Sequence, residues 1–236
     1  MLRQPLRLIP NETPMVILQG RLRGKRWLAG SHTHGCWLGS YENQKRLAIE
    51  RVLTEGSTFL DVGANAGFYT LLASVIVGPT GRVIAFEPLP TNLDYLRKHL
   101  RLNSTTNVTV VEAAVSDRSG AASFDAGPTS AMGHLSSEGT LQVETVSLDD
   151  LLSKNRIPPP DCIKIDVEGG EALVLQGARW ILENVKPTIF LSTHGTELHR
   201  ECCALLRAYD YELTAIDNSD GEQSDEIIAV FGSKSG

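Results

Sequence analysis

This chain has little cysteine, no long apolar run and no excess of positive charge, and each shortage removes a class of protein. Four cysteines in 236 residues (Cys36, Cys162, Cys202, Cys203) show neither C-x-x-C spacing nor the density of a disulfide framework, so reduced thiols in a cytoplasmic protein are expected. No window approaches the length of a membrane span, and the first residues lack the apolar core of a secretory leader. Lys and Arg number 22 against 28 Asp and Glu, a net charge of −6. A general nucleic-acid binder would carry a basic footprint instead. The dense basic cluster Arg21, Arg23, Lys25 and Arg26 reads as the solvated face of a turn. What is present is ordinary for a globular protein: 42% hydrophobic and 21% charged residues, in a length that holds one α/β domain with a substantial core.

The stretch from Thr58 to Asn92 organises the rest. Phe59 to Val62 is a short apolar run interrupted by Asp61, which reads as a buried strand. Gly63-Ala64-Asn65-Ala66-Gly67 is a turn of small residues where backbone can approach a ligand. Phe68 to Val77 has helical spacing, and Gly78-Pro79-Thr80-Gly81 stops it. A second apolar run, Arg82 to Phe86, ends on Glu87, 20 residues after Gly67. Strand, turn, helix, strand and acidic residue make the first half of a nucleoside-binding Rossmann-type unit, with Glu87 placed to accept hydrogen bonds from two ribose hydroxyls.

A further absence decides which nucleoside. A dinucleotide site uses G-x-G-x-x-G so that the pyrophosphate meets bare backbone. Here those positions hold Gly63, Asn65 and Phe68, and the last two side chains would crowd a pyrophosphate. The pattern present is acidic-x-G-x-N-x-G (Asp61, Gly63, Asn65, Gly67), close to the turn of class I methyltransferases. S-adenosylmethionine carries no phosphate and needs room for its methionine tail, so it is the expected cofactor, ahead of NAD.

Residues 1–40 read as an extended lead-in with a hairpin on the substrate side, and 41–236 as the main domain. His32 and His34, in the polar and aromatic loop Ser31–Ser40, are either ligand contacts or ordinary surface residues. Tyr41–Leu53 and Thr91–Leu102 are amphipathic helices. Asn107–Val111 is the third strand, and the residues after it, through Ala114, would border an adenine. Ser119–Phe124 and Leu141–Val146 are short strands around the loop Asp125–Thr140, which carries Ser130, Met132, His134 and Ser136. That loop is a lid or a plain surface excursion. Glu171–Asn184 reads as one helix, Pro187–Leu191 as a strand and Glu197–Tyr209 as another helix. Strands near Glu212–Ile216 and Glu226–Phe231 should pair antiparallel. The expected fold is α/β: a Rossmann-like, seven-stranded, mostly parallel sheet with an antiparallel C-terminal strand and helices on both faces.

Cys162 to Gly170 is the second informative stretch. Alternation puts Ile163, Ile165 and Val167 on one strand face and Lys164, Asp166 and Glu168 on the other. This strand should lie beside the first, so that Asp166, Glu168 and the following strand's His194 end near the glycine turn. Asp166 and Glu168 can bind a divalent cation, or one of them can act as a base toward a hydroxyl. The plainer alternative is that Lys164 pairs with Asp166 and Glu168 caps the next helix. His194 is a base, a ligand or a structural residue.

Gly39-x-Tyr41-Glu42, Asp61-Val62-Gly63-Ala64-Asn65-x-Gly67, Ala85-Phe86-Glu87-Pro88 and Ile163-Lys164-Ile165-Asp166-Val167-Glu168-Gly169, followed by Glu171, together resemble the FkbM family of methyltransferases. The resemblance runs from about Gly39 to His194. It implies an S-adenosylmethionine-dependent methyltransferase acting on hydroxyls of sugars, glycolipids or secondary metabolites, with an amine acceptor or a non-catalytic binding module as alternatives. Gly63, Asn65, Gly67 and Glu87 match the family's cofactor positions. Tyr41, Asp61, Phe68, Asn92, Ala114 and Asp166 complete the expected cofactor surroundings. Asp166 and Glu168 match its fourth-strand signature, and His194 joins them as the expected catalytic group. The Glu that the family often has before that His is replaced by Ser192-Thr193.

Overall fold

A computed structural model describes residues 8–127, 133–135, 139–217 and 224–232. The chain passes through β1 (Pro14–Val16), β2 (Arg26–Leu28), α1 (Gly35–Leu38), α2 (Asn43–Val52), β3 (Thr58–Val62), α3 (Phe68–Val77), β4 (Arg82–Phe86), α4 (Pro90–Leu102) and β5 (Val108–Val111). A side sheet follows, made of β6 (Ala114–Val115), β7 (Gly120–Asp125), β8 (His134–Leu135) and β9 (Leu141–Val146). The chain then runs through α5 (Leu148–Ser153), β10 (Cys162–Ile165), α6 (Glu171–Gln176), β11 (Thr188–Ser192), α7 (Thr196–Ala208), β12 (Tyr211–Ala215) and β13 (Glu226–Phe231).

The main sheet has seven strands in the order β12-β13-β11-β10-β3-β4-β5, and β13 runs antiparallel to both neighbours. This is the Rossmann-like sheet expected from the alternation of apolar runs and amphipathic stretches. The order reverses between β3 and β10, which opens a crevice at their carboxyl ends. Alternation also sorts the core. Leu60, Val62, Ile163, Ile165, Ile189 and Leu191 pack with residues of α6 and α7. Phe59, Cys162 and Phe190 face the other way, onto α3, α2 and the N-terminal residues Ile17, Leu22 and Trp27. The lead-in does form a hairpin, β1 against β2, and its apolar residues enter this same cluster. None of the four cysteines forms a disulfide, and all are buried. Among the described residues no helix is long and apolar enough to cross a membrane.

Two expectations are corrected. The helix expected over Glu171–Asn184 breaks after Gln176, and a π-helical turn, Ile181–Val185, follows. Gly177 accounts for the break. A Cβ there would lie 2.1 Å from the Ser116 carbonyl oxygen, and its own carbonyl accepts from Asp149 N (2.9 Å) and Ser147 Oγ (3.0 Å). The loop at Ser31–Ser40 contains the one-turn helix α1, closed by Gly39 in the left-handed region.

Candidate active site

A cavity of about 590 Å³ opens at the carboxyl ends of β3, β4, β10 and β11. The turn after β3 forms its floor. Gly63 and Gly67 both take positive φ, +76° and +90°. A Cβ on Gly63 would lie 1.9 Å from the Asp166 carbonyl oxygen, and one on Gly67 would lie 2.3 Å from Leu96 Cδ1. The first glycine therefore lets the segment after β10 approach the turn, and the second seats α4 beneath it. Asn65 N donates to Glu87 Oε2 at 2.8 Å, while Glu87 Oε1 accepts from Leu89 N (2.9 Å) and Asn92 Nδ2 (3.2 Å). Burial pushes the Glu87 carboxyl up, and these N–H donors pull against it. A carboxylate has about four acceptor sites, so three donors leave capacity for a hydroxyl from the cavity.

Tyr41, Gly63, Asn65, Phe68, Glu87, Asn92, Ala114 and Asp166 all line the cavity. Asp61 and Gly67 stand behind the turn instead. Asp61 is wholly buried, its Oδ2 accepts from Thr70 Oγ1 at 2.6 Å, and its Oδ1 lies 3.2 Å from Lys164 Nζ. Register explains that ion pair, because Lys164 and Asp61 are direct neighbours across β10 and β3. The same ammonium donates to the Gly63 carbonyl at 2.6 Å and lies 3.9 Å from Asp166. Lys164 thus pairs first with Asp61, and only more distantly with Asp166.

Sequence reasoning missed Trp27 and His99. Trp27 comes from β2 and lines the cavity, stacked on His99 at 3.7 Å. Its indole Nε1 is buried with no hydrogen-bond partner among the described residues. His99 Nδ1 lies 2.7 Å from the Ala66 carbonyl, and its Nε2 accepts from Leu28 N at 3.0 Å. The ring therefore carries its proton on Nδ1 and ties the hairpin to the glycine turn. An apolar Trp in a short basic segment and a His on a helix gave no signal of this.

The second constellation forms, with a different local geometry from the one expected. β10 ends at Ile165, so Asp166 and Glu168 lie beyond it, and a left-handed Glu168 (φ 56°) bends the chain back. This brings Glu168 Oε2 to 3.3 Å and Asp166 Oδ1 to 3.9 Å from His194 Nε2. Glu168 does not cap the next helix. That helix has no side-chain cap; Glu171, its first residue, reaches back to accept from Val167 N (3.3 Å) and Gly169 N (3.1 Å), and its Oε1 also binds His194 Nδ1 at 2.8 Å. The bond to Glu171, with Glu168 and Asp166 nearby, raises the His194 pKa to about 9 despite its partial burial. His194 is therefore an imidazolium near neutral pH, and a donor there. Burial opposes the Asp166 carboxylate, but Lys164 and Lys45 outweigh it and hold its pKa below the usual range. Burial raises the Glu168 pKa.

Lys45, on α2, knits the far wall. Its Nζ lies 2.8 Å from Glu42, 2.7 Å from Glu226 and 3.4 Å from Asp166, and donates to Ser192 Oγ at 2.8 Å. Burial works against its charge, yet Asp166, Glu226 and Glu42 hold its pKa above the ordinary lysine range. His32, Tyr41 and Glu42 line both this cavity and a neighbouring groove of about 810 Å³, whose other walls include Asn11, Thr33, His34 and Ser40. Burial lowers the His32 pKa. Phe124, just before the 125–140 loop, and Gly133, within it, also line the cavity. Ser130, Met132 and Ser136 lie outside the described residues.

This sheet, with its glycine turn and an acidic residue ending the second strand at the crevice, has the Rossmann-like fold of the S-adenosylmethionine-dependent methyltransferases. The sequence model of the methyltransferase FkbM domain matches residues 61–213, and the chain belongs to that family. The hexuronic acid methyltransferase AglP of Haloferax volcanii is 34% identical over 142 residues, covering 59% of this chain and 57% of AglP. The crystal structure of methyltransferase FkbM from Methylobacillus flagellatus superposes with a TM-score of 0.55 at 20% identity, over 74% of this chain and 43% of that one. An S-adenosylmethionine-dependent O-methyltransferase from Thermotoga maritima gives 0.52 at 12% identity, over 83% of this chain and 67% of that one. This chain therefore spans little more than half of AglP's length and less than half of that FkbM structure's.

The residues present fit the cofactor. Glu87 keeps acceptor capacity for ribose, the buried Trp27 N–H has no partner among the described residues, and Asn65 and Phe68 line the cavity where a dinucleotide turn would present bare glycine.

Proposed function

We propose that this protein transfers a methyl group from S-adenosylmethionine to an oxygen of a sugar or glycan. The observation that carries the reading is the continuity of two spaces. A nucleoside-type cavity closed by Glu87 shares His32, Tyr41 and Glu42 with a groove rich in polar and aromatic side chains. Such a wall suits a polyhydroxylated ring, and the likeness to a hexuronic acid methyltransferase supports the same class. Four buried cysteines, none in a disulfide, support a cytoplasmic setting.

When bound, the cofactor supplies a methyl made electrophilic by its sulfonium, so the protein's share is alignment and handling of the acceptor's proton. Glu87 and Asn65 would hold the ribose, Trp27 would donate its N–H, and Ala114 would border the adenine. An acceptor oxygen would face Asp166, Glu168 and His194. His194 would orient that oxygen, and a carboxylate of the pair would receive its proton.

Calorimetric titration with S-adenosylhomocysteine, with NAD as control, tests the reading. Glu87→Ala should weaken binding by about 1–3 kcal/mol through loss of a charge-assisted contact. Binding of NAD in place of S-adenosylhomocysteine, or unchanged affinity in Glu87→Ala, would sink it. An active chain that methylates only amines would move the acceptor class.

A further inference from the structure

We infer that Asp166, Glu168 and His194 form a binding site for one divalent cation of the Mn²⁺ type, with Glu171 as the residue that aims the imidazole. One oxygen from each carboxylate and one ring nitrogen lie within 4.8 Å of one another. Ligand atoms about 2.1–2.4 Å from a shared ion in octahedral array lie roughly 3.0–4.8 Å apart, cis to trans. The two contacts of His194 Nε2, 3.3 Å to Glu168 and 3.9 Å to Asp166, fall inside that window with no change of chain path.

The second observation concerns Glu171. Its side chain is wholly buried, yet it sits beside a partly exposed histidine and does not line the cavity. Its Oε1 accepts from His194 Nδ1 at 2.8 Å, which fixes the ring so that Nε2 faces the two carboxylates. Its Oε2 is buried with no hydrogen-bond partner among the described residues. A carboxylate behind the non-ligating nitrogen is the recurrent support of a metal-bound histidine, where it sets the tautomer and strengthens the ligand. Its Oε1 accepts from Val167 N and Gly169 N as well, so Glu171 also ties the imidazole to the loop that carries the two carboxylates. Three carboxylates around one imidazole also leave an excess of negative charge, and Lys45 and Lys164 approach only Asp166 among them.

All three donors line the cavity, so the remaining coordination positions of an ion would open toward the acceptor oxygen. A mixed oxygen and nitrogen set of this kind suits a first-row divalent ion better than a soft one. The ion would hold that oxygen and lower the cost of losing its proton, which the carboxylates would otherwise have to receive alone. This role rests on the methyl-transfer reading; the binding site itself does not.

Mn²⁺ titration of the full chain, followed by electron paramagnetic resonance, is the test. The expected result is one saturable site per chain. Glu168→Gln should weaken it at least tenfold, about the loss of one charged ligand, with an unchanged melting temperature showing that the fold is kept. Glu171→Gln, which leaves all three ligands in place, should weaken it about 10–100-fold. No saturable Mn²⁺ binding by the wild-type chain overturns the inference. So does binding that Glu168→Gln and His194→Ala both leave unchanged, because the ion would then lie elsewhere. S-adenosylhomocysteine titration of the same samples separates the two readings. Cation binding without it sinks the methyltransferase proposal alone, and the converse sinks the cation site alone.

Discussion

His99 should make the protein lose stability as pH falls through the weakly acidic range. The ring lies wholly buried between Trp27 and the glycine turn, with Nε2 accepting the Leu28 N–H and Nδ1 facing the Ala66 carbonyl. Burial lowers its pKa from 6.5 to about 4, and its bond to Ala66 only partly opposes this. Protonating Nε2 would set a new N–H against the Leu28 N–H. Between the two pKa values the unfolded chain binds the proton and the folded chain does not. The contribution is therefore complete above about pH 7 and drains away as pH falls toward 4. At 1.36 kcal/mol per pKa unit the whole effect is about 3 kcal/mol, of which roughly 2 kcal/mol should be lost between pH 7 and 5. Urea unfolding of wild type and His99→Gln at a series of pH values isolates it, since the other titrating groups cancel in the difference. Parallel stability curves for the two proteins across pH 7 to 4 would refute the reasoning. A difference that grew as pH rose would have the wrong sign and refute it equally.

Lys164→Met should destabilise by about 3–5 kcal/mol, because it strands the buried Asp61 carboxylate and removes the donor to the Gly63 carbonyl; chemical unfolding measures this. The two glycines of the turn should respond unequally to alanine. Gly67→Ala meets the movable end of Leu96 and should cost about 1–2 kcal/mol for its left-handed backbone, plus some repacking. Gly63→Ala meets the backbone oxygen of Asp166 and should cost clearly more, so equal melting temperatures for the pair would be evidence against that packing role.

Much of the fold was legible because its signals are local and redundant. Apolar runs of strand length alternate with amphipathic helices, and a short polar turn before Glu226 forecast the antiparallel last strand. Gly177 escaped notice because the atom it must avoid, the Ser116 carbonyl, lies 61 positions away in sequence, beyond any periodicity. In the site, Glu87 was readable from the turn that precedes it, since strand, turn and acidic residue form one continuous unit. Glu171 and Lys45 were not. Their partners are reached through space, His194 for one and Glu226 and Asp166 for the other, and no spacing rule links those positions. Asp61 illustrates the converse error. Its place in the motif suggested a ligand, while strand register gives it to Lys164.

The stretch from the hairpin to α2 contributes Trp27, His32, Tyr41, Glu42 and Lys45 to the two spaces, and all of them precede the residues 61–213 that carry the family's pattern. Most residues that would hold the donor lie in the family's stretch, with Trp27 reaching in from before it, while the neighbouring groove is walled wholly by the earlier segment. Lineages could remodel that groove and keep Trp27 and the donor machinery, much as a tool changes its bit. Likeness within the shared core then speaks more directly for the transfer step than for the groove. Chimaeras joined at the start of β3, with Trp27 kept, would show whether acceptor choice travels with that groove.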